Sequence, residues 1–275
     1  MFSISRKLRR EAKTVGFVAT MGALHEGHLA LVKEARAACD IVIVSIFVNP
    51  KQFNDEKDLE NYTRDLTVDA ALLAEYDIEY LFAPEVREIY PDGFSTYVNV
   101  EGLGSILEGS SRPGHFRGVA TVITILFNTI RPDRAYFGQK DAQQIAVIKR
   151  LTLDLGFETE IVTLPTVRES SGLALSSRNA RLSPEEHAKA VVLIEALREA
   201  KLAFKKGERN ASTLTEIVTR RIALEPLARL DHVAVVDREG MHTIEKIGDA
   251  ETLIVAAIHI GSVRLIDNVI LNRKQ

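Results

Sequence analysis

One segment limits the possible folds more than any other. Ile41–Val48 (IVIVSIFV) is apolar on both of its faces, β-branched at most positions, and stops at Asn49-Pro50. A run of that length and chemistry suits a parallel strand covered by helices on both sides, because an antiparallel strand with one wet face would alternate. Its surroundings repeat the theme. Val15–Thr20 is a short apolar run, Leu29–Ala38 has helical spacing, Leu66–Tyr76 reads as a helix and Ile78–Phe82 as a strand. Val119–Ile130 reads as a helix or a buried apolar segment, Ala135–Phe137 as a strand, Ala142–Leu155 as a helix and Glu160–Leu164 as a strand. Strands alternating with helices predict an α/β domain with a parallel sheet. After about Val167 the rhythm changes. Ser183-Pro184-Glu185-Glu186 has the pattern of a capped helix start, running to about Lys206 and closing at Gly207. A second helix, Ser212–Leu224, precedes strand-like His232–Asp237, Leu253–Ile260 and Val263–Ile270, the last two separated by Gly261-Ser262 as in a hairpin. The expected organisation is therefore a domain over residues 1–167 and a smaller α+β domain over 168–275. With 275 residues, that is just under two domains' worth at about 150 residues each.

Composition excludes several function classes. With 35 Lys+Arg against 38 Asp+Glu, the net charge of -3 argues against a generally basic nucleic-acid binder. No Trp, six Tyr and eleven Phe leave little material for an aromatic platform. The single cysteine, Cys39, excludes an intrachain disulfide and suits a reducing compartment. No stretch approaches the ~18 apolar residues of a membrane span, and the basic start MFSISRKLRREAK lacks the apolar region of a signal peptide and reads as a first helix. The expectation is a cytoplasmic protein with no membrane or nucleic-acid partner.

Three polar clusters follow predicted strands directly. In a parallel sheet all strand C-termini open on one edge, where ligands bind, so the three should converge. The first is Thr20–His28, TMGALHEGH. His25 and His28 lie three apart, Gly27 permits close approach, and the helix N-terminus should offer unpaired N–H groups and partial positive charge to a phosphate. The same spacing also fits two capping histidines or a metal pair. The second is Val48–Arg64, where Asn49 and Gln52 offer neutral amides to a polar substrate, or else a helix cap and a surface glutamine. The third is Phe137–Gln144, FGQKDAQQ: Lys140 can face phosphate, Asp141 can accept from ribose hydroxyls, and Gln144 lies one turn on, although taken alone the segment reads rather as a polar helix start. Two loops add to these: Leu175–Asn179 (LSSRN), whose hydroxyls and Arg178 make a phosphate clamp or else a plain linker, and Leu107–Gly118, with Arg112, His115 and Arg117 among Gly and Pro, an active-site loop or else a solvated basic turn. Neither a GxxxxGK[ST] loop nor a GxGxxG is present, which disfavours a kinase-type P-loop and a standard dinucleotide fingerprint.

TMGALHEGH, FVNPKQF, REIYPDG, RPGHFRGVATV, FGQKDAQQ and GLALSSRN, in this order, resemble the motifs of the pantothenate synthetase (pantoate–β-alanine ligase) family. HxGH alone is shared across the nucleotidyltransferase superfamily. The resemblance implies a Rossmann-like domain followed by a smaller C-terminal domain that closes over the site, in a cytoplasmic homodimer. It implies ATP- and Mg2+-dependent condensation of (R)-pantoate with β-alanine, through a pantoyl-adenylate, to pantothenate, AMP and diphosphate. Carried over by position, it assigns ATP to Met21, Gly22, Ala23, Leu24, His25, Glu26, Gly27 and His28, to Gly138, Gln139, Lys140 and Asp141, and to Val167, Leu175, Ser176, Ser177 and Arg178. The last four match the KMSKS loop of synthetases. His28, with His25, Lys140 and Arg178, would be catalytic, and Gln52 and Gln144 would hold pantoate, Gln52 lying also near β-alanine. No residue is implied as a fixed metal ligand. Three positions depart from the family pattern: Ala19 and Thr63 stand where proline is common, and Ser171 where aspartate is common. Against this reading stand a nucleotidyltransferase that forms no amide and a non-enzymatic nucleotide or RNA binder.

Overall fold

The computed structural model describes the chain apart from residues 55, 61, 63, 64 and 273–275, and the side chains of 56 and 57 are likewise outside it. Thr63 and Arg64 therefore lie outside the described residues. Two compact units are present, one comprising residues 1–138 and 143–164, the other 139–142 and 165–275.

The first unit is built on five parallel strands: β1 (Val15–Thr20), β2 (Ile41–Ile46), β3 (Tyr80–Phe82), β4 (Arg134–Gly138) and β5 (Glu160–Leu164), in the order β3-β2-β1-β4-β5. That order makes β1 the centre and places the reversal of direction between β1 and β4, as in Rossmann-like sheets. Burial explains the apolar runs. Phe17 and Val18, adjacent on β1, are both fully buried, so both faces of the sheet are covered. Phe17 meets Phe127 of the helix His115–Ile130 edge-on at 6.3 Å between centroids. Val18 packs instead with Leu29, Val32 and Ala35 of the helix Glu26–Ala38. Each such side chain contributes roughly 1.5–3 kcal/mol on burial. β2 is shorter than its apolar run, because the chain leaves the sheet after Ile46 and Asn49 caps a 3-10 turn, Pro50–Gln52.

The second unit carries an antiparallel sheet, β6 (Ala228–Asp237), β7 (Thr252–Ile260) and β8 (Val263–Asn272), ordered β6-β7-β8. Its core joins Leu193 and Leu197 to Leu214, Val218, Ile254 and Ile258. The Ser183 capping box is formed in both directions, with Ser183 N–H donating to Glu186 at 2.8 Å and Glu186 N–H to Ser183 Oγ at 3.2 Å. The single helix expected from there to Lys206 is instead two, Pro184–Ala190 and Val192–Lys205. Val191 keeps right-handed dihedrals, but its N–H bonds the Lys189 carbonyl rather than one a full turn back, interrupting the ladder while Ala190 and Val192 are buried on either side.

Candidate active site

The turn after β1 is held by a residue from a distant helix of the same unit. Gly22 has φ +83° and Ala23 φ +51°, conformations that cost a side chain about 1–2 kcal/mol. The Asp69 carboxylate, from the helix Leu66–Ala74, accepts from Ala23 N–H at 3.0 Å and Leu24 N–H at 2.8 Å. A Cβ on Gly22 would lie 2.8 Å from Asp69 Oδ2, so only glycine leaves room for this bracket.

His25 is the N-cap of the helix Glu26–Ala38, and the two histidines form a reciprocal cap. His25 Nδ1 accepts from Gly27 N–H at 3.1 Å, and His28 Nδ1 accepts from His25 N–H at 3.4 Å. The rings stack with centroids 4.1 Å apart. An accepting Nδ1 carries no proton, so each neutral ring has its N–H at Nε2. This narrows the expectation of unpaired N–H groups at the helix start to the Glu26 amide, which has no acceptor among the described residues. The amides of His25 and Gly27 are spent on imidazole, and that of His28 on the His25 carbonyl at 2.8 Å. Besides the Glu26 amide, the donors this turn can aim at an anion are side chains. Met21 is half-buried, Leu24 packs into the core, and Glu26 is exposed.

At the end of β2 the amides are buried, not superficial. Asn49, 1% exposed, accepts from Lys51 N–H at 3.2 Å and from Tyr90 Oη–H at 2.8 Å, and donates to Gln52 Oε1 at 3.0 Å and to the Gly118 carbonyl at 3.1 Å. Asn49 is thus the cap and also the residue that orients the Gln52 amide. Gln52 Nε2 lies 2.8 Å from Met21 Sδ, joining the first and second clusters. His115 Nδ1 donates to the Gln52 carbonyl at 2.8 Å, while its Nε2 faces Arg112 NH1 at 3.0 Å. Gly118 must be glycine: a Cβ there would stand 2.3 Å from the Lys51 carbonyl oxygen. Burial raises the Tyr90 phenol far above its ordinary range, so it stays a neutral donor to Asn49. Arg117 of the same segment stacks on the Tyr97 ring at 3.9 Å.

The third cluster divides between the units. Gly138, Gln143 and Gln144 belong to the first, and Gln139–Ala142 to the second. Gln143, 2% exposed, accepts from Glu108 N–H at 3.1 Å and donates to the carbonyls of Leu103 at 2.9 Å and Ile106 at 2.8 Å. It is consumed in pinning the loop that leads to Arg112. Its neighbour Gln144 is half-buried with no hydrogen bond among the described residues, which leaves its amide available to a ligand.

In the second unit, the turn Gln139–Asp141 is fastened to β8. Asn268 donates to the carbonyls of Gln139 at 2.9 Å and Lys140 at 3.0 Å, and accepts from Gln139 Nε2 at 3.0 Å. Lys140 Nζ lies 3.8 Å from Asp141. The serine-rich segment is a folded hairpin rather than a plain linker. Arg168 bridges Ala174, the Val167 carbonyl accepts from Leu175 N–H at 3.0 Å, and Ser176 caps a 3-10 turn, Ser177–Arg181. Asn179 ties this turn to Glu169 and to the Ala174 carbonyl, both at 3.1 Å. Ser171 Oγ accepts from Leu173 N–H at 3.3 Å, a turn bond an aspartate could also make.

Sequence reasoning missed Asp69 and gave Tyr90 and Asn268 no role. Asp69 sits mid-helix with no motif around it, and the strained turn it serves is 46 residues away. The tyrosine lay inside a quoted motif, and a buried partner for Asn49 was the missing inference.

The chain matches the sequence profile described as pantoate-beta-alanine ligase over residues 1–270. It is 52% identical over 271 residues to the pantothenate synthetase of Heliobacterium modesticaldum, covering 98% of this chain and 96% of that one. The pantothenate synthetase of Thermosipho africanus is 49% identical, with coverage of 98% and 97%. Among solved structures, pantothenate synthetase from Thermus thermophilus superposes with a TM-score of 0.92 at 45% identity, covering 98% of each chain. The pantoate-beta-alanine ligase of Francisella tularensis, complexed with beta-gamma ATP and beta-alanine, gives 0.80 at 37% identity over 98% of this chain and 95% of that one. A Rossmann-like parallel sheet, a histidine-capped helix at its centre and relatives matched end to end converge on one conclusion: the chain belongs to the pantoate–beta-alanine ligase family.

Proposed function

We propose that this chain activates (R)-pantoate with ATP and condenses the product with β-alanine, yielding pantothenate, AMP and diphosphate. The observation that carries the proposal is the reciprocal cap of His25 and His28, which fixes both Nδ1 atoms as acceptors and so puts each neutral ring's N–H on Nε2, at the central edge of a Rossmann-like sheet.

A carboxylate does not react readily with an amine, so it must first acquire a leaving group. The pantoate carboxylate oxygen attacks the α-phosphorus, the bond from that phosphorus to the bridging oxygen breaks, and diphosphate leaves. Charge grows on the phosphoryl oxygens, and the His28 Nε2–H is the donor suited to meet it. His25 holds the His28 ring by stacking and by its own N–H. Lys140 and Arg178 supply positive charge to the phosphates, with Ser176 and Ser177 as hydroxyl donors and Asp141 as acceptor for the ribose. In the second half, the β-alanine amine attacks the acyl carbon, the bond to the AMP oxygen breaks, and the amine proton passes to solvent or phosphate. Gln52, oriented by Asn49 and His115, and Gln144, with no protein partner among the described residues, present neutral amides to the pantoate hydroxyls without competing with its charge.

Among the described residues no three His, Cys, Asp or Glu side chains cluster as a metal cage. Mg2+ usually keeps phosphate oxygens and waters as ligands, so we propose that it arrives on the nucleotide. We place the protein in the cytoplasm, supported by its single, buried cysteine, and assign it a homodimer, to be read by sedimentation equilibrium. No helix among the described residues is long and apolar enough to cross a membrane.

The test is direct. With β-alanine omitted, ATP, Mg2+ and pantoate should give pantoyl-adenylate and diphosphate. With all substrates present, AMP should appear in equal amount to pantothenate. Release of diphosphate without pantoate, or a dinucleotide product, would refute the proposal.

A further inference from the structure

The second unit contains a cleft of about 530 Å3 walled by the helix Val192–Lys205, by β8 and by residues 165–168. Among the described residues, every charged side chain lining it is cationic: Arg168, Arg198, Lys201 and Lys205. Arg198, Lys201 and Lys205 follow one another at three and four residues along the helix, so they share a face. Like charges at that spacing repel unless a counter-ion lies between them. Arg168 is already matched, holding the buried Asp267 carboxylate through NH1 at 2.6 Å and NH2 at 2.9 Å. Arg198 and Lys205, in contrast, have no hydrogen bond or ion pair among the described residues. Polar side chains of Gln139, Asn268 and Asn272 also line the cleft.

This cleft is separate from the nucleotide residues assigned above. Of those, only Gln139 lines it; Lys140, Asp141, Val167 and Ser176–Arg178 do not. We infer that the cleft is a second binding site, for a small anion bearing phosphate or polyphosphate groups. Its volume suits a small molecule, and the Arg198 guanidinium beside lysine ammonium groups is a donor set that phosphate oxygens satisfy. The site adjoins two segments that carry nucleotide residues. The Gln139–Lys140 turn is gripped by Asn268, a lining residue. The Arg198 guanidinium lies against Gly172, where an added Cβ would stand 3.0 Å from NH1, and the Gly172 carbonyl accepts from Arg168 at 3.1 Å. Gly172 is in the hairpin that leads into Ser176–Arg178.

The experiment titrates inorganic pyrophosphate into the full chain by calorimetry at fixed ionic strength, comparing the wild type with Arg198→Glu/Lys205→Glu. The variant should bind one equivalent fewer, or bind the last equivalent at least about tenfold more weakly. If pyrophosphate also occupies the reaction site, the counts fall from two to one; if that site binds none, they fall from one to zero, so the two proposals fail separately. Both substituted residues are exposed, and the variant's thermal unfolding should match the wild type. Should it not fold, Arg198→Gln/Lys205→Gln gives the same comparison. Equal stoichiometry with affinities within about twofold, or no binding by the wild type at all, would overturn the inference.

Discussion

Asp69→Ala isolates the device that shapes the histidine turn. The wild-type carboxylate is 3% exposed and accepts two backbone N–H bonds, from Ala23 and Leu24. A hydrogen bond to a charged group contributes a net ~1.5–3 kcal/mol, so two contribute ~3–6 kcal/mol if nothing moves. The turn will move, however. Releasing Ala23 from φ +51° returns ~1–2 kcal/mol, and water can reach part of the freed backbone. The expected net loss is ~2–4 kcal/mol, a large share of the ~5–15 kcal/mol typical of a folded protein. Asp69→Asn should be nearly as damaging, because its amide would turn a donor toward one of the two N–H groups. Urea unfolding followed by circular dichroism measures the stability, and hydrogen exchange across residues 20–28 localises it. Exchange at Ala23 and Leu24 should accelerate by about thirtyfold to a thousandfold, at about 1.4 kcal/mol per tenfold. Because the same turn carries His25 and His28, kcat/KM for pantothenate formation should fall by a similar factor. A stability change under ~0.5 kcal/mol with unaltered exchange at these two amides would refute the argument that the carboxylate holds the turn.

Replacement of His28 by Ala should reduce kcat by about a thousandfold while costing only ~0.5–2 kcal/mol of stability for the lost cap; a rate loss below about tenfold would remove it from the chemistry. The adjacent glutamines should separate cleanly. Gln143→Ala leaves two carbonyls and one N–H without their partner and should destabilise by ~2–4 kcal/mol, whereas Gln144→Ala should leave the unfolding midpoint unchanged and raise KM for pantoate. His259 has its pKa lowered from 6.5 by burial first and by Arg229 and Arg264 next, opposed by Asp231. The unfolded state therefore binds the proton more readily, so stability is full above about pH 6.5 and declines as pH falls below it. His259→Gln should flatten that decline in denaturant titrations run at several pH values.

Much of the fold was legible because local rules and global fold agree. The β-branched run at Ile41–Ile46, the helix periods between strands and the Ser183 box each state their own structure. The break at Val191 was not legible, since helix propensity continues through it and only packing interrupts the ladder. At the site, residue types and spacing indicated His25, His28, Gln52 and Gln144. They did not reveal what each atom would be spent on.

The sequence by itself determined a parallel α/β sheet followed by an α+β region, polar clusters at strand ends, and, through its motif set, membership of an adenylate-forming ligase family. These follow from periodicity, which is local, and from motifs, which are contiguous. Only tertiary structure decided that Asp69 brackets the turn, that Asn49 aims Gln52, that Gln143 is structural while Gln144 is open, and that both imidazoles carry their proton on Nε2. Each of these depends on a donor meeting an acceptor across space, at distances of about 3 Å between residues up to 46 positions apart for Asp69. Chain spacing carries no record of such meetings, and the hydrogen-bond inventory of a side chain is settled only when its neighbours are in place.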